Sequence, residues 1–185
     1  MNSNPTLRTP TGQVFWLFGL SGAGKSTLAA TLADTLRQRG FAVLALDGDR
    51  LRAGLCAGLG YTHADRAENL RRAAEVARLA ADSGLCVIAS FITPLEAHRR
   101  LVRGIIGGDR LSLVHAAAPL EVCRARDVKG LYAGARDGAV AQMTGLTSAF
   151  EPPTRADLTL ETDIETPAAS AQKLLEYALA QLARA

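Results

Sequence analysis

The chain has 185 residues, 48% of them hydrophobic, which fits one domain of roughly 100–200 residues and excludes disorder along its whole length. No apolar run approaches the roughly 18 residues a bilayer span needs, and Met1 to Gly12 is polar with two prolines and one arginine, unlike a signal peptide. The net charge of +3 is too small to argue for nucleic acid, so the expectation is a cytoplasmic protein without a nucleic-acid or membrane partner.

Residues 1–12 read as a flexible N-terminal segment and 13–185 as the domain. Gln13 to Leu20 (QVFWLFGL) is a continuous β-prone apolar run ended by glycine, the pattern of a buried strand. Thr27 to Arg39 carries Leu28, Leu32 and Leu36 at helical spacing, with Gly40 as a stop. Ala42 to Leu46 is a second short apolar run ending at Asp47-Gly48-Asp49. Asp65 to Asp82 puts Leu70, Ala73, Ala74, Ala77 and Ala81 on one helical face, with Glu68/Arg72 and Arg71/Glu75 as i,i+4 pairs. Leu85–Phe91 and Leu111–Ala116 are further strands, separated by a helix from Pro94 to about Arg103. Asp157–Thr162 is a weaker last strand, and Pro167–Arg184 an amphipathic closing helix. Strands alternating with helices predict an α/β fold: a mostly parallel five-stranded sheet with helices on both faces, three layers in all. The glycine- and proline-rich stretch of about 128–154 reads as loop and as a lid.

Charge is unevenly spread. Residues 50–136 hold fourteen basic and eight acidic groups, whereas 137–185 hold three and seven. Of the 21 basic residues 18 are Arg, the side chain suited to bidentate contact with phosphate or sulfate oxygens. Cys56, Cys86 and Cys123 are widely spaced and odd in number, so neither a disulfide framework nor a zinc site is indicated. His63, His98 and His115 lack metal-ligand spacing and read as structural.

Gly19-Leu20-Ser21-Gly22-Ala23-Gly24-Lys25-Ser26-Thr27 matches GxxxxGK[ST] between a strand and a helix, the P-loop pattern. Its glycines let backbone N–H groups turn in around phosphate oxygens, and the helix adds its positive end. Lys25 then reaches the β- and γ-phosphates, and Ser26 ligates Mg²⁺. The nucleotide site comprises Gly19, Ser21, Gly22, Ala23, Gly24, Lys25, Ser26 and Thr27. A P-loop specifies nucleotide, not reaction. No NKxD segment is present, which disfavours a GTPase. The run Val87 to Phe91 ends in no acid, so magnesium and base functions must come from another strand. Asp47 and Asp49 close the second strand, and carboxyl ends of strands are where α/β proteins hold ligands. One carboxylate can orient a magnesium-bound water while the other accepts a proton from an attacking hydroxyl.

The order Leu46-Asp47-Gly48-Asp49 with Arg52, Leu59-Gly60-Tyr61, Asp65 to Arg72, Phe91-Ile92-Thr93-Pro94, Arg126 to Tyr132, Thr144-Gly145 and Glu151-Pro152 resembles the adenylylsulfate (APS) kinase family over roughly residues 13–153. The resemblance implies a P-loop kinase that moves the γ-phosphoryl of ATP to the 3′-hydroxyl of APS, giving PAPS and ADP in sulfate activation. It further implies an APS site from Asp49, Arg52, Tyr61, Arg66, Asn69, Ile92 and Lys129, with Tyr61 stacking on adenine and Lys129 closing from the lid. By the same resemblance Lys25, Asp49, Asp47 and Thr93 are the catalytic candidates, Asp49 as base. Ser26 and Asp47 serve Mg²⁺, ATP and APS are the substrates, and a homodimer is implied.

Four positions depart from the family pattern: Arg50 for Asn, Thr93 for Ser, Met143 for Phe and Phe150 for Tyr. The Ser position has been linked in the family to a phosphorylated form, but direct in-line transfer is the reading here. A kinase for a nucleoside, gluconate or shikimate is the first alternative, disfavoured by Arg66/Asn69 and the RDVKGLY segment. A non-catalytic nucleotide-binding regulator is the second, disfavoured by intact Lys25, Ser26, Asp47 and Asp49.

Overall fold

In the computed structural model, which describes residues 12–128, 130–136 and 143–184, the first apolar run forms strand β1 (Val14–Phe18), every residue of it fully buried. Burial on both faces is why the run has no polar alternation. The chain continues as α1 (Lys25–Gln38), β2 (Val43–Asp47), α2 (Gly48–Arg52), α3 (His63–Asp82), β3 (Cys86–Ser90), α4 (Glu96–Ile106) and β4 (Leu111–Ala117). It closes with α5 (Leu120–Arg126), α6 (Leu131–Arg136), β5 (Leu158–Glu161) and α7 (Pro167–Leu182). The expected N-terminal segment up to residue 11, Lys129, and residues 137–142 of the expected lid lie outside the described residues.

The sheet order is β2-β3-β1-β4-β5, and all four pairings are parallel. Alternate β1 side chains serve the two faces. Val14, Trp16 and Phe18 pack with Leu70, Ala73, Ala74 and Ala77 of α3 and with Val102 and Ile106 of α4. Phe15 and Leu17 pack with Leu28, Leu32 and Leu36 of α1 and with Leu174 and Ala178 of α7. This is the three-layer arrangement the alternation of elements predicts. Gly12 runs tight against the end of α3: a Cβ there would lie 1.7 Å from the Ala81 carbonyl oxygen.

Strand β1 leads through α1 to β2 on one side of the sheet, whereas its neighbour β4 leads to β5 on the other, so the connections diverge at their carboxyl ends. That is the switch point where open α/β sheets form a ligand crevice, and Gly19–Gly24 follow there directly.

Three short helices depart from the sequence reading. Asp47 leads into helix α2, an element the sequence reading did not assign, since its Oδ1 accepts the amides of Asp49 (3.0 Å) and Arg50 (3.4 Å) and caps it. Helix α5 follows Pro119, where no element was expected. Helix α6 lies inside the stretch read as loop, and Asp127 starts it by accepting the amides of Tyr132 and Ala133, each at 3.0 Å. On α3, Glu68 pairs with Arg72 at 2.8 Å as expected, whereas Arg71 turns to Glu68 and Glu75 to Arg78.

Candidate active site

The loop after β1 needs glycine for two separate reasons. Gly19 runs so close to β4 that a Cβ would meet the Ala116 carbonyl oxygen at 2.4 Å. Gly24 caps α1 in the left-handed region (φ 88°) and offers no capping side chain, and no acidic residue stands in the first turn of α1. An uncapped, acid-free helix start suits an anion. Lys25 is buried and its Nζ donates to the Leu20 carbonyl at 2.6 Å.

The loop is braced from behind by distant residues. Tyr132 Oη donates to the Ser21 carbonyl (3.0 Å), Arg126 to that of Gly22 (3.3 Å), and Thr162 Oγ1 to that of Ala23 (3.0 Å). None of these three supports was among the site residues expected from sequence. They lie more than a hundred residues from the loop in sequence, and no local pattern carries such a link. Thr27 begins the exposed side of α1, with its carbonyl accepting Thr31 Oγ1 at 3.0 Å.

The acid missing from β3 is supplied by its neighbour. Asp47 is the register partner of Ser90, and its Oδ2 accepts Ser90 Oγ (2.8 Å) and Ser26 Oγ (3.1 Å). Burial alone would raise the Asp47 pKa, but hydrogen bonds from Ser90, Ser26 and the amides of Asp49 and Arg50 outweigh it and hold the carboxyl below its usual range. One carboxylate therefore joins the P-loop hydroxyl to the start of α2. Asp49 sits exposed in the first turn of that helix. Beyond its amide bond to Asp47, nothing in the structure explains Arg50.

Arg52, Tyr61, Arg66 and Asn69 come together on α2, the following loop and α3. Tyr61 is 54% exposed, far from a core aromatic. The Arg52 guanidinium lies 4.4 Å from its ring centre and that of Arg66 5.5 Å, within cation–π range. Arg52 is fixed by the carbonyls of Leu59 (3.2 Å) and Gly60 (2.8 Å), and Arg66 Nε by that of Tyr61 (2.9 Å). Burial and then the charge of Arg52 both work against the Arg66 cation, so two like charges are held together where an anion would relieve them. Asn69 is 4% exposed, and its Oδ1 has no hydrogen-bond partner among the described residues. Such an orphaned acceptor is costly unless a donor reaches it.

Ile92 is half-buried, and its carbonyl accepts the Gly19 amide at 3.2 Å, joining the β3–α4 turn to the P-loop. Thr93 differs from the other catalytic candidates. It is 1% exposed, its φ is 43°, and its Oγ1 accepts the Trp16 indole N–H at 2.8 Å. Met143 is buried with Leu20, Ala23, Cys123 and Tyr132. Phe150 stacks on His115 at 6.2 Å, and His115 on Phe18 at 5.0 Å, while burial and then the charges of Arg99 and Lys25 press the His115 pKa down to about 4. Among the described residues no cluster of three or more His, Cys, Asp or Glu could hold a metal. Ser26 and Asp47 form a hard-oxygen pair of the kind that binds magnesium together with substrate phosphates.

Residues 11–161 match the Adenylylsulphate kinase family. The adenylyl-sulfate kinase of Paraburkholderia xenovorans is 54% identical over 152 residues, covering 82% of this chain and 84% of that one. The adenylyl-sulfate kinase of Shewanella denitrificans is 48% identical over 164 residues, 89% and 80% of the two chains. The structure of the Mycobacterium tuberculosis APS kinase in complex with AMPPNP and APS superposes with a TM-score of 0.84 at 41% identity, covering 94% of this chain and 98% of that one. By the family match over residues 11–161 and by relatives of this identity and coverage, this chain belongs to the adenylylsulphate kinase family.

Proposed function

We propose that this protein, an ATP-dependent kinase of that family, transfers the γ-phosphoryl group of ATP to the 3′-hydroxyl of adenosine 5′-phosphosulfate through the residues gathered at the carboxyl ends of β1 and β2. The observation that supports this most is Asp47, whose two oxygens tie the P-loop hydroxyl of Ser26 to the helix that carries Asp49. Lys25 and the amides of Gly19–Thr27 hold the β- and γ-phosphates. The 3′-oxygen attacks the γ-phosphorus as the bond to the β–γ bridging oxygen breaks, ADP leaves, and Asp49 accepts the hydroxyl proton. Loose phosphoryl-transfer transition states ask little of a base, so positioning and the Lys25 charge dominate.

Ser26 and Asp47 would hold Mg²⁺, which when bound neutralises charge on the phosphate oxygens. Arg52 and Arg66 hold the phosphosulfate, Tyr61 offers its ring to the adenine, and Asn69 Oδ1 takes a donor of the same substrate. The Ile92 side chain lines the acceptor side, and Lys129 closes from a lid spanning about 128–154. Thr93 contributes position rather than a phosphorylated intermediate, so Thr93→Ala lowers turnover without abolishing it. The domain spans 13–185, acts as a homodimer, measurable by light scattering, and works in the cytoplasm. Among the described residues no helix is long and apolar enough to cross a membrane.

ADP release with Mg-ATP and APS, set against other alcohol acceptors and no acceptor, tests the reading. APS-dependent release is expected, and none would sink it.

A further inference from the structure

A buried arginine is costly unless every part of its fork is satisfied. Arg99 on α4 is 1% exposed, and the site described above makes no use of it. Its Nε donates to Glu96 Oε2 (2.8 Å), its Nη1 to the carbonyls of Thr93 (3.3 Å) and Pro94 (3.4 Å), and its Nη2 to the carbonyl of Glu151 (3.1 Å). Glu151 completes the corner. Its amide donates to the Pro94 carbonyl at 2.9 Å, and its Oε2 accepts the Glu96 amide at 2.6 Å. Helix α4 starts at Leu95 without a side-chain cap of its own residues, so a carboxylate 55 positions away does that work.

What this corner holds is strained. A β-branched residue at φ 43° is an outlier and persists only where its surroundings over-determine it. Thr93 is held by Trp16 on its hydroxyl and by Arg99 on its carbonyl. One residue earlier, Ile92 accepts the first P-loop amide.

We infer that Arg99 and Glu151 are positioning residues: they lock the Ile92-Thr93-Pro94 turn in its strained form and dock residue 151, the return of the expected lid, against it, so fixing the acceptor side of the site. The inference rests on the APS-kinase reading above. The P-loop has independent supports in Tyr132, Arg126 and Thr162, so loosening this corner falls on the acceptor side rather than the nucleotide side.

The test is steady-state kinetics with both substrates varied, on the full chain, for R99K, E151A and the double variant, with thermal melts alongside. E151A keeps the buried arginine and the backbone bonds of residue 151, so it reports even where R99K does not fold. The expected result is kcat/KM for APS lowered about tenfold in each single variant, KM for ATP within about twofold of native, and a double variant little worse than either single because both act on one device. A melting shift with unchanged kinetics, or equal losses toward ATP and APS, would overturn the positioning role while leaving the activity standing. Native protein without APS-dependent turnover would overturn the activity itself, and this inference with it.

Discussion

The proposed nucleotide side and the proposed acceptor side of the site are built by different means. Around Gly19–Thr27 the shape comes from backbone: glycine conformations, an uncapped helix start and carbonyls pinned from behind by Tyr132, Arg126 and Thr162. Around Arg52, Tyr61, Arg66 and Asn69 the shape comes from side chains held by one another and by loop carbonyls. A backbone site tolerates loss of one neighbour, since its geometry is set by many bonds. A side-chain site passes each loss to the next residue. Substitutions on the first side should therefore strike rate through charge, and those in the Arg52, Tyr61, Arg66 and Asn69 cluster should strike acceptor affinity.

The largest break is expected at Lys25. Lys25→Ala should lower kcat by about 10²–10³-fold, since one preorganised charge aimed at the transition state is worth that much, with the circular dichroism spectrum unchanged. Asp49→Asn should come next, with kcat lower by about 10²-fold, the low end for a positioned proton acceptor, and ATP affinity retained in a binding titration. An equal loss of ATP affinity would remove Asp49 from the acceptor side.

Arg66→Lys should raise KM for APS by about tenfold, because an ammonium cannot reproduce the fork, while KM for ATP stays put. A parallel rise in both would erase the contrast between the two sides.

The smallest effect lies at the seam, where His115 stacks between Phe18 and Phe150. Its folded pKa of about 4 lies below the ordinary 6.5, so the unfolded chain takes up the proton first. This group thus removes stability as pH falls from 6.5 toward 4, and no further below that. His115→Gln should lack that loss, shrinking the stability difference from native by about 1–2 kcal/mol across the window after screening. Denaturant titrations at pH 7 and pH 4.5 would show it, and an unchanged difference would mean the ring is solvated.

The same contrast explains what could be read from sequence. Apolar runs and helical periodicity place β1, α1, α3, β3, β4 and α7 within a few residues, because burial on one or two faces writes itself into every position. Helices α2, α5 and α6 have five to seven residues, too short for a period to emerge, and Gly48 and Gly134 within two of them read as breakers. The P-loop is legible because its geometry demands glycine at fixed offsets. Arg52, Tyr61, Arg66 and Asn69 are legible only through family resemblance, since each alone reads as a surface charge, an aromatic or an amide. Arg99 was invisible for the opposite reason: an arginine on an amphipathic helix reads as solvated, and only the fold shows it buried among four carbonyl and carboxylate partners.

The divided carboxylate of Asp47 bears on how relatives of this enzyme should be interpreted. One oxygen begins a helix and the other faces the P-loop hydroxyl, so a descendant that had abandoned turnover would still need aspartate there to keep α2 in place. Asp47 in such a protein would testify to architecture. Asp49 is exposed and lacks that capping duty, so under its proposed role as base it would be the first of the two to drift and the better sign of a working kinase.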